Sequence, residues 1–122
     1  PHGPDLKLEK LGYIELMKKW EVTAVIAGHD HFYERGEREG IPYIVSGGGG
    51  APIYSKIKNT QWSKFRFTGR HFIKFDIDGK KMRFEVISDE GKKVEECSVS
   101  YEHRSQKQWN CKQSKIKEGI VF

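Results

Sequence analysis

Gly28-His29-Asp30-His31 follows directly on the apolar run Val22-Thr23-Ala24-Val25-Ile26-Ala27. Two histidines one residue apart in extended backbone point to the same side. Imidazole nitrogens so placed can reach one divalent ion, or two ions held about 3.5–4 Å apart. Gly28 lets the backbone turn closely around a metal. In a mainly buried α/β sheet, ligands gather at the C-terminal ends of strands, which is where this motif falls. Taken alone, the pair reads more readily as ordinary loop histidines than as ligands.

The residues around this pair carry alternatives of their own. Asp30 should point away from a metal held by its neighbours, and either orients a ligand or is simply exposed. Arg35 could contact a phosphate, pair with Glu34, Glu37 or Glu39, or cap a backbone carbonyl. Tyr33 reads as a wall of the site or as core. Gly47-Gly48-Gly49-Gly50 is not a P-loop, because no Lys-Ser/Thr follows it. Close backbone packing beneath the histidines explains it better. Trp62, Phe65 and Phe67 line a cleft or form a hydrophobic cluster under a loop. His71 reads as structural and His103 as exposed.

The elements that must position these residues follow from periodicity and turn signals. Asp5 can cap a helix running to about Trp20, with Leu8, Leu11, Ile14 and Met17 at helical spacing and Gly12 as its weak point. Val22 to Ala27 reads as a short, fully buried strand, so helix and strand give the rhythm of an α/β layer. Gly28 to Arg35 is expected as a loop and Gly36 to Gly40 as a charged turn. Ile41 to Ser46 reads as a strand with Pro42 near its start or on an edge. Residues 53–69 read as a long loop. His71 to Asp76 and Met82 to Ile87 should form a hairpin through Asp78-Gly79. Asp89-Glu90-Gly91 is a second turn before a short strand near Val94, and no periodicity is visible from Ser98 onward.

Composition sets the outer bounds. With 122 residues there is room for one domain at most, and 36% hydrophobic against 32% charged residues makes it polar. No run approaches the roughly 20 apolar residues that span a bilayer. The net charge of +5 suits an anionic substrate, and nucleic acid stays open without support. Much of that charge lies in Arg104, Lys107, Lys112, Lys115 and Lys117, where a solvated tail is the plain reading. Cys97 and Cys111 read either as free thiols or as a disulfide, which would contribute about 3 kcal/mol. A bridge leans the chain toward a periplasmic or secreted setting. The start lacks Met and a signal-like segment, and Pro1-His2-Gly3-Pro4 reads as loop interior, so the expectation is a fragment of a longer protein.

The ordered block Gly28-His29-Asp30-His31-Phe32-Tyr33-Glu34-Arg35, followed by Tyr43-Ile44-Val45-Ser46-Gly47-Gly48-Gly49-Gly50-Ala51-Pro52, resembles the calcineurin-like metallophosphoesterases, in the branch near purple acid phosphatases. The resemblance covers residues 1 to about 88. It implies an α/β fold, the C-terminal half of a four-layer αββα sandwich with mostly strands after one N-terminal helix. That portion would occupy residues 1–96, and 97–122 would be a basic extension. It implies two metal ions, iron, zinc or manganese, with His29 and His31 going one to each, and a phosphate mono- or diester as substrate. His2, in Pro1-His2-Gly3, is similar to a histidine that holds the phosphate or protonates the leaving group. Asp30 and Arg35 would support the site from behind. The family's Asp-x-His, Gly-Asp-x-x and Gly-Asn-His segments, and one further ligand histidine, do not occur in these 122 residues. The chain would therefore need the N-terminal half of its own domain. The rival expectation is a non-catalytic fragment or interaction module whose basic tail binds a partner.

Overall fold

The computed structural model describes residues 6–55, 60–100 and 109–115. His2, Asp5, His103, Arg104, Lys107 and Lys117 lie outside them. The elements are α1 (Leu6–Lys10), α2 (Tyr13–Lys19), β1 (Val25–Ala27), β2 (Tyr33–Arg38), β3 (Ile41–Ser46), β4 (Ser63–Phe67), β5 (His71–Asp78), β6 (Lys81–Ser88), β7 (Lys93–Ser100) and β8 (Trp109–Gln113). They form two four-stranded sheets, ordered β1-β3-β2-β4 and β5-β6-β7-β8. Among the described residues only β1 and β3 run parallel; the other strand pairs are antiparallel.

This overturns the α/β expectation. The described chain is mostly strand, with two short helices and no four-layer αββα sandwich. The single helix expected before Trp20 is split at Gly12, whose φ of 74° belongs to the left-handed region that glycine enters without penalty. None of the α2 residues is buried, and Leu11 and Trp20 are 72% and 70% exposed. The helices are tied to the β2–β3 hairpin by ion pairs, Glu9 with Arg38 and Lys18 with Glu39. Val22 to Ala27 contributes only a three-residue edge strand, half-buried at Val25 and exposed at Ile26 and Ala27. An apolar run shows that a segment can be covered, but not that it is.

The core lies between the sheets. Tyr33, Ile44, Phe65 and Phe67 of the first sheet meet Phe84, Val86, Val94 and Cys97 of the second, with Ile73, Phe75, Trp109 and Cys111 at its margin. Phe65 and Phe67 are thus core residues on β4, inside the stretch expected as loop. β2 likewise replaces an expected loop and turn, with pairs running from Tyr33↔Ser46 to Arg38↔Ile41. Pro42 sits just ahead of β1's reach, since the parallel pairing starts at Val25↔Tyr43, so its missing N–H breaks no ladder bond. The β5–β6 hairpin closes through Gly79-Lys80, with Asp78 opposite Lys81. β7 runs across the expected boundary at residues 96 and 97. Cys97 and Cys111 lie directly opposite each other on β7 and β8 and form a disulfide, so residues 109–113 belong to the second sheet.

Two buried carboxylates explain why charged β2 is interior. Glu95 on β7 is fully buried. It accepts bonds from Tyr33 Oη (2.6 Å), Arg35 Nε (3.0 Å), Arg35 Nη2 (2.8 Å) and Gln113 Nε2 (3.1 Å). On the face of β2 opposite Tyr33 and Arg35, Glu34 accepts from Tyr43 Oη at 2.5 Å and from the Arg66 guanidinium. Burial and the adjacent carboxylates push both tyrosine hydroxyls above their ordinary pKa, so both remain donors. A buried ion pair adds little over an apolar pair, but removing one partner strands the other. Arg35→Met should therefore lower the unfolding free energy by about 3–5 kcal/mol. Arg35→Met with Glu95→Leu should recover part of that loss. Urea unfolding measures both; a double variant as unstable as the single would reject the stranded-charge account.

Candidate metal-ligand loop

The Gly28–Phe32 loop leaves the C-terminal end of β1 through two tight turns rather than extended backbone. Asp30 N–H donates to the Gly28 carbonyl at 3.0 Å, and Phe32 N–H donates to the Asp30 carbonyl at 2.8 Å. His29 is the central residue of the first turn at φ 73°, a conformation uncommon for residues other than glycine. The same-side argument from strand alternation therefore does not apply to His29 and His31. His29 is exposed and His31 half-buried.

The clearest chemical feature is at His31. Its Nδ1 lies 2.9 Å from the Pro52 carbonyl oxygen. A carbonyl can only accept, so Nδ1 carries the proton and the lone pair sits on Nε2. That is the arrangement in which metal-ligating histidines are commonly held, one nitrogen donating to a fixed acceptor and the other left to the ion. Tyr54 stacks on the imidazole at 4.8 Å between ring centroids and 29° between planes.

The glycine run packs under this loop, as its composition suggested, but only in its first half. A Cβ on Gly47 would strike the Asp30 carbonyl, and one on Gly48 would strike the His71 ring and approach the Gly69 carbonyl; Gly49 and Gly50 have open space. Gly47 N–H also donates to the Phe32 carbonyl at 3.2 Å. The two sequence blocks Gly28–Arg35 and Tyr43–Pro52 are thus one unit in space.

The other site expectations separate. Asp30 is half-buried, with its backbone in both turns. Arg35 is not in this loop: its side chain lies between the sheets on Glu95, and Glu95 takes the place of the expected Glu34, Glu37 or Glu39. His71 is buried, donates from Nδ1 to the Gly69 carbonyl at 2.7 Å, and meets Ser46 Oγ through Nε2 at 3.1 Å. It packs against the start of the glycine run, its backbone N–H donating to the Gly48 carbonyl at 3.3 Å. Among the described residues, no third His, Cys, Asp or Glu joins His29 and His31 in a cluster. The one such cluster, Glu95 with Cys97 and Cys111, contains the disulfide pair. A cleft of about 530 Å³ opens between the sheets beside Arg35, Ile44, Lys64, Trp109 and Gln113, toward the far end of β2 from the histidines. Sequence reasoning gave Pro52 and Tyr54 no role at His31, although Pro52 closes the Tyr43–Pro52 block and Tyr54 lies two residues beyond it.

No protein-family model matches the chain, and no curated protein matches its sequence. No helix among the described residues is long and apolar enough to cross a membrane.

Burial holds the His71 pKa below its ordinary value, partly offset by its bond to Gly69. Between that lowered value and the unfolded value of about 6.5, the unfolded chain binds the extra proton. Stability contributed by neutral His71 is therefore complete above about pH 6.5 and is lost as pH falls through the folded value. Urea midpoints from pH 8 to 5.5 should decline on the acid side, and His71→Gln should flatten that decline. An unchanged slope in the variant would assign the acid sensitivity to other groups.

Proposed function

We propose that the chain is the C-terminal portion of a dinuclear-metal phosphoesterase acting on phosphate mono- or diesters. One observation carries this reading: His31 has its Nδ1 proton committed to the Pro52 carbonyl, which leaves the Nε2 lone pair available to an ion. The resemblance of the two blocks meeting there supplies the reaction class.

The residues present fit part of such a centre. His31 through Nε2, with His29, would hold iron, zinc or manganese, and the remaining ligands would come from the N-terminal half of the domain. When bound, two ions supply a water whose pKa is lowered toward about 7 and positive charge against the phosphoryl oxygens. The chain's own contribution is orientation: the Pro52 carbonyl fixes one imidazole, and the Gly47–Asp30 contact fixes the turn between the ligands. His2 would donate a proton to the leaving oxygen. The Cys97–Cys111 bridge supports a periplasmic or secreted setting.

A second reading, an interaction module without catalysis, draws on a different observation. Leu8, Leu11, Leu16 and Trp20, in and beside the two helices, are exposed apolar side chains, and a partner that covered them together would use them as a contact face.

The two readings part in the full-length protein. His31→Ala should empty or distort the metal centre and abolish turnover of aryl and alkyl phosphates alike. His2→Ala should keep metal content and slow turnover by about 10²–10⁴-fold, more for the alkyl ester, whose leaving group needs the proton. Metal analysis and phosphatase assays on both substrates decide it. Undiminished activity in His31→Ala sinks the enzyme reading, and metal loss in His2→Ala would make His2 a ligand.

A further inference from the structure

Residues 52 and 54 hold residue 31 at three points. Tyr54 N–H donates to the His31 carbonyl at 3.3 Å, the Pro52 carbonyl accepts from His31 Nδ1 at 2.9 Å, and the Tyr54 ring stacks on the imidazole at 4.8 Å. These contacts differ in kind. The backbone bond fixes the position of the loop, and the carbonyl fixes the tautomer. The ring adds a second restraint on rotation of the imidazole to that of the Pro52 bond, because a stacked face 29° from the imidazole plane permits sliding but hinders turning. Tyr54 is itself half-buried, with Phe32 at 6.1 Å behind it, so the stack is backed by packing.

We propose that Tyr54 is a positioning residue for His31: its ring holds the imidazole in the orientation in which Nδ1 reaches Pro52 and Nε2 is presented to a metal ion. This rests on the reading of His31 as a ligand. Without the ring, the imidazole trades its bond to Pro52 for water and samples both tautomers, and the ion must then supply the ordering itself. Outer partners of ligand histidines commonly control metal affinity by about 10–100-fold. The tyrosine hydroxyl is not part of the argument, so phenylalanine should serve.

The test uses the disulfide-bonded chain at pH 8 with Ni²⁺ as probe, measuring affinity by titration and the His31 tautomer by ¹⁵N chemical shifts without metal. In the unsubstituted chain, His31 should be the Nδ1–H tautomer. Tyr54→Ala should give mixed tautomers and weaken Ni²⁺ binding by about 10–100-fold. Tyr54→Phe should retain both properties. Tyr54→Leu, which keeps apolar bulk without a flat face, should show the loss with the fold preserved, and it replaces the alanine variant if that one unfolds. Unchanged tautomer and affinity in Tyr54→Ala or Tyr54→Leu would overturn the proposal, as would lowered stability with affinity intact. If His31→Ala itself leaves Ni²⁺ binding unchanged, the ligand reading fails and takes the proposal with it; a loss in His31→Ala but not in the Tyr54 variants rejects Tyr54 alone.

Discussion

A carboxylate removed from water must recover its hydrogen bonds from the protein, and the fully buried Glu95 recovers four. Tyr33 and Arg35 come from the first sheet, Gln113 from β8 and Glu95 itself from β7. The network therefore joins β2 to the second sheet at the centre of the sandwich, beside the disulfide between β7 and β8. The apolar contacts between the sheets are not directional, and Phe65 against Phe84 could be satisfied with the sheets slid past one another. The forked Arg35–Glu95 pair could not, because two parallel bonds accept one relative placement. Tyr33, paired with Ser46 and Phe67 within the first sheet, is one residue beyond the Gly28–Phe32 loop.

What the sequence made legible was whatever is decided locally. β3 was found at its observed bounds, and the β5–β6 hairpin was found through Asp78-Gly79, because alternation and turn chemistry need no distant partner. β2 was lost because Glu34 and Arg35 look solvent-facing until Arg66 and Glu95 are known to meet them. β4 was lost because Phe65 and Phe67 alternate with Lys64 and Arg66 over too few residues to stand out from their loop. The long helix and buried strand failed for the opposite reason: apolar spacing records a capacity for burial, and the described residues realise it only in part, with Ile14, Met17 and Val22 to Val25 half-buried. The bridge between Cys97 and Cys111 was undecidable until β7 and β8 put the two side by side.

The candidate site divides in the same way. His29 and His31 were visible because the motif is contiguous. Which nitrogen of His31 bears the proton was not, since that depends on a carbonyl 21 residues away. Arg35 was expected to pair with a glutamate near it in sequence or to cap a carbonyl, and strand alternation instead turns it toward Glu95, 60 residues away. The glycine run was read correctly as close packing at Gly47 and Gly48, where Asp30 and His71 leave no room for a side chain.

The strand that delivers the histidines is only three residues long and is bonded to one neighbour. Such a strand has little cooperativity of its own, and its amides can exchange with solvent through local opening without the sandwich coming apart. Anything that binds His29 and His31 must then also meet the free energy of closing β1 against β3, so the intrinsic strength of the loop as a ligand is masked by an ordering equilibrium. The converse also follows: occupancy of the loop would be recorded as slowed exchange along Val25, Ile26 and Ala27, at a distance from the ligand atoms themselves. The first sheet's parallel edge would thus report on the state of the loop it carries.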